Sequence, residues 1–397
     1  MRNVTPLENT KHNVRGFSLV ELLIAMTLGL IIMGGMIAVF SSNKSSSELN
    51  TAMANIQENA RFAVGALSKD IRMSGFQGCL DSRRGLLEVK SLRSPVPQVG
   101  FSTAGEPEHD FSLSSITGSV IISANEWQPA IAGDFVPPVE NPAIPGTHAL
   151  VVQYGSRDQS ELTGPINVGG VESRNGDIVT TDDLGLVRGD LALIANCDNV
   201  DLFTVSGAEP SGTGQLLKHE APLNRDGSLN AVYGLPNNIA VTRVMRFISN
   251  IYYIGDTGLT NDSGDTIRAL YQQSYPYNVP ENPPSEIVQG VENMRLSYGI
   301  RTRNTLQYVT ADDPAFNPSQ VESVQIGVIM SSWDRIAEQD DENTYVIAGQ
   351  TIESDKNSSD ATTHAEDGRY RLVFNTTVKV RNRRENSIVN AQLRAQP

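Results

Sequence analysis

Residues 16–40 read GFSLVELLIAMTLGLIIMGGMIAVF, apolar almost throughout but with one carboxylate, Glu21, close to the start. From Leu22 to Phe40 there is no charged residue. At 1.5 Å of rise per residue a helix over Phe17 to Phe40 is about 36 Å long, enough to cross a hydrocarbon core of about 30 Å. The stretch therefore predicts a membrane-spanning helix. A secretory signal peptide has a shorter apolar region followed by its cleavage site, and this run is too long for one. The basic residues before it, Arg2, Lys11 and Arg15, place the N-terminus in the cytoplasm and the bulk of the chain across the membrane.

An ionisable group inside a membrane segment costs several kcal/mol unless it is paired, which makes Glu21 a functional candidate. A carboxylate that snorkels to the interface is the plainer reading. What surrounds Glu21 favours the first. The run Arg15-Gly16-Phe17-Ser18-Leu19-Val20-Glu21 resembles the processing site of type IV pilins and type II secretion pseudopilins. The resemblance implies that a prepilin peptidase cuts between Gly16 and Phe17 and that the new N-terminus, Phe17, is methylated. Because the cut precedes the apolar helix, the helix stays on the mature protein. The amine freed at Phe17, in the family usually that of a neighbouring subunit, is the partner Glu21 needs, and the pairing sets register in a filament.

Past residue 40 the helix is expected to continue to about Ser74. Leu49, Met53, Ile56, Ala60, Ala63, Leu67 and Ile71 recur at spacings of three and four, a single apolar stripe at helical period. Ser41 to Ser47 form a soft spot, and Gly34-Gly35 is a second place for bending or close helix packing. No proline interrupts residues 7–94, unlike many major pilins. Gly75 and Gly78 are suited to the left-handed backbone that ends a helix.

After the helix the chain becomes β-rich, as 33 glycines and 20 prolines suggest, and it is long enough for one large or two modest domains. Candidate strands are residues 120–123, 149–154, 191–196, 202–205, 241–254 and 269–272, with PYNVPENPP at 276–284 as the clearest break. The clearest alternation comes late: Met294, Leu296, Tyr298 and Ile300; Val324, Ile326, Val328 and Met330; Tyr370, Leu372, Phe374, Thr376, Val378 and Val380. These predict half-buried antiparallel strands. The expected fold class is α+β, a long N-terminal membrane-spanning and amphipathic helix packed on a predominantly antiparallel β domain. The expected segments are a leader at 1–16, the membrane helix at 17–40, its amphipathic continuation at 41–74 and a β-rich periplasmic or extracellular domain at 75–397. Residues 71–79, 189–197, 290–299 and 369–382 resemble, in that order, the PilW family of minor pilins.

Cys79 and Cys197 are the only cysteines, and the orientation just argued puts both in an oxidising compartment. If paired they close a loop of 118 residues (197 minus 79), worth about 4–5 kcal/mol in the chain-entropy model. Two separate buried thiols are the alternative, since sequence spacing does not bring the Cα atoms within reach.

Catalytic signatures are missing. The five histidines stand alone without zinc-ligand spacing, and there is neither a phosphate-binding loop nor a GxSxG elbow. No catalytic, cofactor-binding or metal residue is therefore assigned. Asp256, Asn261, Asp262 and Asp265 crowd one loop but miss the calcium-loop pattern, so a solvated turn is expected there and again at Asp340, Asp341 and Glu342. The formal net charge of -14 argues against a chain whose whole surface binds nucleic acid. Strand alternation puts Arg369, Arg371, Lys379, Arg381 and Arg383 on the face opposite the apolar one, a candidate docking stripe for an acidic neighbour. A balanced, exposed strand face is the plainer reading.

The resemblance implies a non-enzymatic minor pilin that primes type IV pilus assembly at or near the tip, with effects on adhesion and twitching motility. It implies as partners the prepilin peptidase, other minor pilins, the major pilin, the inner-membrane assembly machinery and a tip adhesin. Two other readings share the same N-terminal physics: a type II secretion pseudopilin, and a membrane-anchored binding domain that never enters a filament.

Overall fold

The computed structural model describes residues 18–79, 87–91, 115–124, 126–129, 141–275, 282–302, 305–358 and 360–382. The fold is α+β. Its one α-helix among the described residues, α1, spans Leu19–Met73, and the seven residues 41–47 are helical like their neighbours. Two compact units divide within it, Met1–Ala52 and Met53–Pro397.

In the first unit α1 starts with a reciprocal cap. The Glu21 amide donates to Ser18 Oγ at 3.1 Å, while the Ser18 amide points back to Glu21 Oε2 at 3.4 Å. This satisfies donors that the first helical turn leaves without partners. Every large apolar side chain from Leu19 to Phe40 is between 53% and 74% exposed, over a stretch whose best 18-residue window has a mean hydropathy of 2.5. Such a surface is stable in lipid or against other apolar helices, not in water.

In the second unit the predicted stripe is the buried face of α1: Ile56, Ala60, Ala63, Leu67 and Ile71 are at most 2% exposed. They pack against two sheets at once. The first sheet contributes Leu150, Val152, Tyr154, Tyr252, Ile254 and Leu270; the second contributes Met294, Leu296, Tyr298, Ile326, Val328 and Met330. At ~1.5–3 kcal/mol per buried large apolar side chain, this shared core dominates the stability of the unit.

The first sheet is built on Arg243–Thr260, an 18-residue strand paired along one edge with His148–Ser160. Its other edge is divided between Leu191–Ala195 near the start and Thr266–Ser274 near the end. The second sheet runs Thr305–Val309, Val291–Thr302, Val321–Arg335, Arg369–Lys379, each neighbour antiparallel. Among the described residues only two short pairs are parallel, Leu87–Val89 with Val200–Thr204 and Ser354–Asp355 with His364–Ala365. A small third sheet, formed within residues 178–218, encloses a separate core around Phe203, Leu217 and Tyr233.

Two details fix the end of α1. Gly75 has φ +76°, and a Cβ there would collide with the Asn382 carbonyl and Ser115 Oγ, so only glycine fits. Asn382 Nδ2, just beyond the last strand, donates to the carbonyls of Arg72, Met73 and Ser74 at 3.2–3.3 Å. The C-terminal strand thus caps carbonyls the helix leaves open.

Candidate functional site

The sequence-predicted residues fall into three places. Gly16 and Phe17 lie outside the described residues, as does Arg383. Glu21 is exposed, and its described partner is the Ser18 cap. The S-x-x-E spacing that builds this cap was visible in Ser18-Leu19-Val20-Glu21, and it gives the carboxylate a local task beside any assembly role. From Leu22 to Phe40 the helix carries no second charge.

Cys79 and Cys197 are joined, with an S–S distance of 2.03 Å and Cα atoms 5.1 Å apart. Cys79 lies six residues beyond α1, and Cys197 in the turn between Leu191–Ala195 and Val200–Thr204. The bond ties the exit of the helix to the first sheet.

The expected cationic stripe is corrected by the structure. Lys379 and Arg381 are exposed, but Arg371 is fully buried and the Arg369 side chain is 10% exposed. Arg371 Nε donates to Glu292 Oε2 at 2.6 Å, Nη1 to Asp341 Oδ2 at 3.2 Å, and Nη2 lies 2.9 Å from Asp367 Oδ1. Arg369 reaches Glu292 Oε1 at 2.7 Å and Asp367 Oδ2 at 2.8 Å. Alternation correctly assigns these arginines to the face away from the main core. That face is itself covered, by the hairpin of Tyr345–Ile347 and Gln350–Ile352, whose Ile347 and Ile352 pack on Ile329 and Val373. A register shift between Val291 and Asn293 brings Glu292 to the cluster.

Asp341 is accordingly buried instead of lying in a solvated turn, and also accepts from Tyr345 Oη at 2.8 Å. Burial by itself pushes the Glu292 carboxyl up, but Arg371 and Arg369 outweigh it and hold the group at about 2. In the other acidic loop Asp265 takes two bonds from Arg335, at 2.6 and 2.9 Å, and one from Asn261. The Arg335 bonds bring its carboxyl to about 2. Among the described residues no three His, Cys, Asp or Glu side chains group as a metal site.

A buried carboxylate on α1 escaped the sequence reading. Asp70 accepts from Tyr154 Oη at 2.8 Å, Tyr252 Oη at 2.8 Å and Asn250 Nδ2 at 2.7 Å. It forms the base of a groove of about 480 Å³ with Phe62, Lys69 and Arg246 among its lining. Burial, then the Asp70 charge, drive both tyrosine hydroxyls far above the usual phenol range, so they stay donors. The signal was its position three residues from Leu67 and beside Ile71, at the edge of the apolar stripe.

Residues 251–382 match the family model described as Type IV Pilus-assembly protein W. They take in the second half of the long central strand, the whole second sheet, the buried ion cluster and the Asn382 cap. Residues 11–37 match the Prokaryotic N-terminal methylation motif. In these two stretches the chain is similar to pilin-like proteins of the PilW family. No curated protein and no solved structure matches it. The PilW family is one of structural assembly components, and the apolar helix with its methylation motif points to membrane anchoring and association with pili and their machinery.

Proposed function

We propose that this chain is a minor pilin of the PilW family, made as a prepilin and held in the inner membrane by residues 17–40 with its N-terminus in the cytoplasm. Prepilin peptidase cuts after Gly16, Phe17 is methylated, and the subunit joins other minor pilins to prime the pilus at or near its tip. The role is non-catalytic. The observation that carries the reading is the capped helix start at Ser18 and Glu21, followed by an exposed apolar surface over residues 19–40. Such a surface serves first as a membrane anchor and then as a filament core, in which helices of neighbouring subunits replace lipid.

The test replaces Glu21 by Ala and by Gln in a strain lacking the chromosomal copy. Both variants are expected to reach the membrane and be cut normally, yet to fall at least about tenfold in sheared surface filaments, reflecting loss of an ion pair in an apolar setting. Incorporation equal to the unaltered protein contradicts the proposal.

A further inference from the structure

A second groove lies along the exposed side of α1, within the second unit. It has a volume of about 730 Å³ and is bounded by α1, Arg157 of the first sheet, and Thr376, Arg381 and Asn382 at the end of the second. Five of its lining residues are cations: Arg61, Lys69, Arg72, Arg157 and Arg381. All five are exposed, and none forms an ion pair with a carboxylate among the described residues. Several surface cations elsewhere are paired, as in Arg243 with Glu161, Arg246 with Asp190, Arg301 with Glu322 and Arg335 with Asp265. Five unpaired positive charges around one concavity repel one another, and an anion from outside the chain relieves them.

Gly65 adds an independent observation. It sits in the interior of α1, in its last third, where glycine is the poorest helix former short of proline, and lines the groove between Arg61 and Lys69. A Cβ at Gly65 would meet nothing within 4 Å. Nothing inside the chain requires its lack of a side chain, and its effect is a notch where a backbone can come close. Val64, Met73 and Phe76 give the groove an apolar lining beneath its charged rim.

We infer that this groove docks a short acidic polypeptide segment of a neighbouring protein, laid across Gly65 with its carboxylates on Arg61, Arg72, Arg157 and Arg381. The notch and apolar lining suit a peptide with side chains to bury. A nucleic acid fits less well: it extends past the groove and meets a surface whose net charge is strongly negative. The groove lies outside the apolar anchor, so the inference stands whether or not the chain enters a filament.

The test uses the full chain in phosphatidylcholine nanodiscs and fluorescence anisotropy of a labelled, Glu-rich peptide of about ten residues. Saturable binding is expected, weakened at least about tenfold in the double variant Arg61→Glu/Arg381→Glu and several-fold in Gly65→Leu, which keeps all five charges. Arg188→Glu, at an exposed cation away from the groove, is expected to leave affinity unchanged. Circular dichroism melts of each variant verify the fold. Equal peptide affinity in the double variant or in Gly65→Leu overturns the inference. So does tighter binding of a labelled oligothymidylate of the same length.

Discussion

Arg371 has a buried guanidinium whose charge is met by three carboxylates, and removing it leaves Glu292, Asp341 and Asp367 with Arg369 as the remaining ion-paired cation and Arg268 nearby. Breaking a buried ion cluster by deleting one partner costs about 3–5 kcal/mol, whereas an exposed lysine contributes little. Arg371→Met is therefore expected to destabilise the protein by that amount in chemical denaturation, and Lys379→Met by less than ~0.5 kcal/mol. Similar losses for both would mean that the strand face is solvated along its whole length. The sequence carried the side on which these arginines lie, through alternation. It did not carry their burial, because the three carboxylates come from positions 292, 341 and 367 and meet only when the hairpin at 345–352 closes over the sheet.

Two buried groups, His148 and Glu292, contribute to acid stability, and His219, also lowered by burial, adds to the first. Burial, then the neighbouring Arg295, lower His148 from 6.5 to about 3. Arg295 Nη1 always donates, so His148 Nε2 accepts from it and Nδ1–H donates to the Leu296 carbonyl. Glu292 is lowered from 4.5 to about 2. Both folded pKa values lie below the unfolded ones, so the stabilisation is complete above the unfolded pKa and is lost as pH falls towards the folded one. Denaturation midpoints are expected to decline from about pH 6.5 as the histidine protonates in the unfolded chain, then more steeply below about 4.5. Replacing His148 by Gln should flatten the first part only; an unchanged slope between pH 6 and 5 contradicts the assignment.

At the scale of elements, α1 was legible in unusual detail because a single apolar stripe at helical period can be buried in only one orientation. The stripe is covered from Ile56 onward, whereas Leu49, assigned to it by spacing, is 36% exposed. Period shows which residues share a face, not where the covering sheets stop. The C-terminal cap was illegible, since Asn382 is more than 300 residues from the carbonyls it meets. Asn382→Ala removes all three bonds and is expected to cost about 1–2 kcal/mol, read as a lowered thermal midpoint. Gly65→Ala, on the same helix, is expected to raise stability by up to ~1 kcal/mol, because it gains helix propensity and meets no neighbour. A destabilised Gly65→Ala would show that the open space beside this glycine is filled in solution.

At the scale of the molecule, one disulfide closes a 118-residue loop from the helix exit to the first sheet. The chain-entropy argument predicts that Cys79→Ala/Cys197→Ala loses up to ~4–5 kcal/mol, measured against the oxidised protein by denaturation. No measurable loss would mean that the unfolded chain is already constrained across this loop. The antiparallel β domain could be anticipated from alternation and turn residues, most clearly in the second sheet. The small third sheet could not, because its strands Gly207–Ser211 and Gly214–Lys218 are short and carry Gly, Pro and Ser in place of regular alternation.

The central claim joins processing to assembly, and both are read from one terminus. Mass spectrometry of the mature N-terminus, on protein from sheared surface filaments and separately from inner membranes, measures them together. Methylated Phe17 as the first residue in the filament fraction is the expected result. An intact Met1, or a protein confined to membranes with no filament form, would contradict the account and leave a bitopic anchor carrying a β domain.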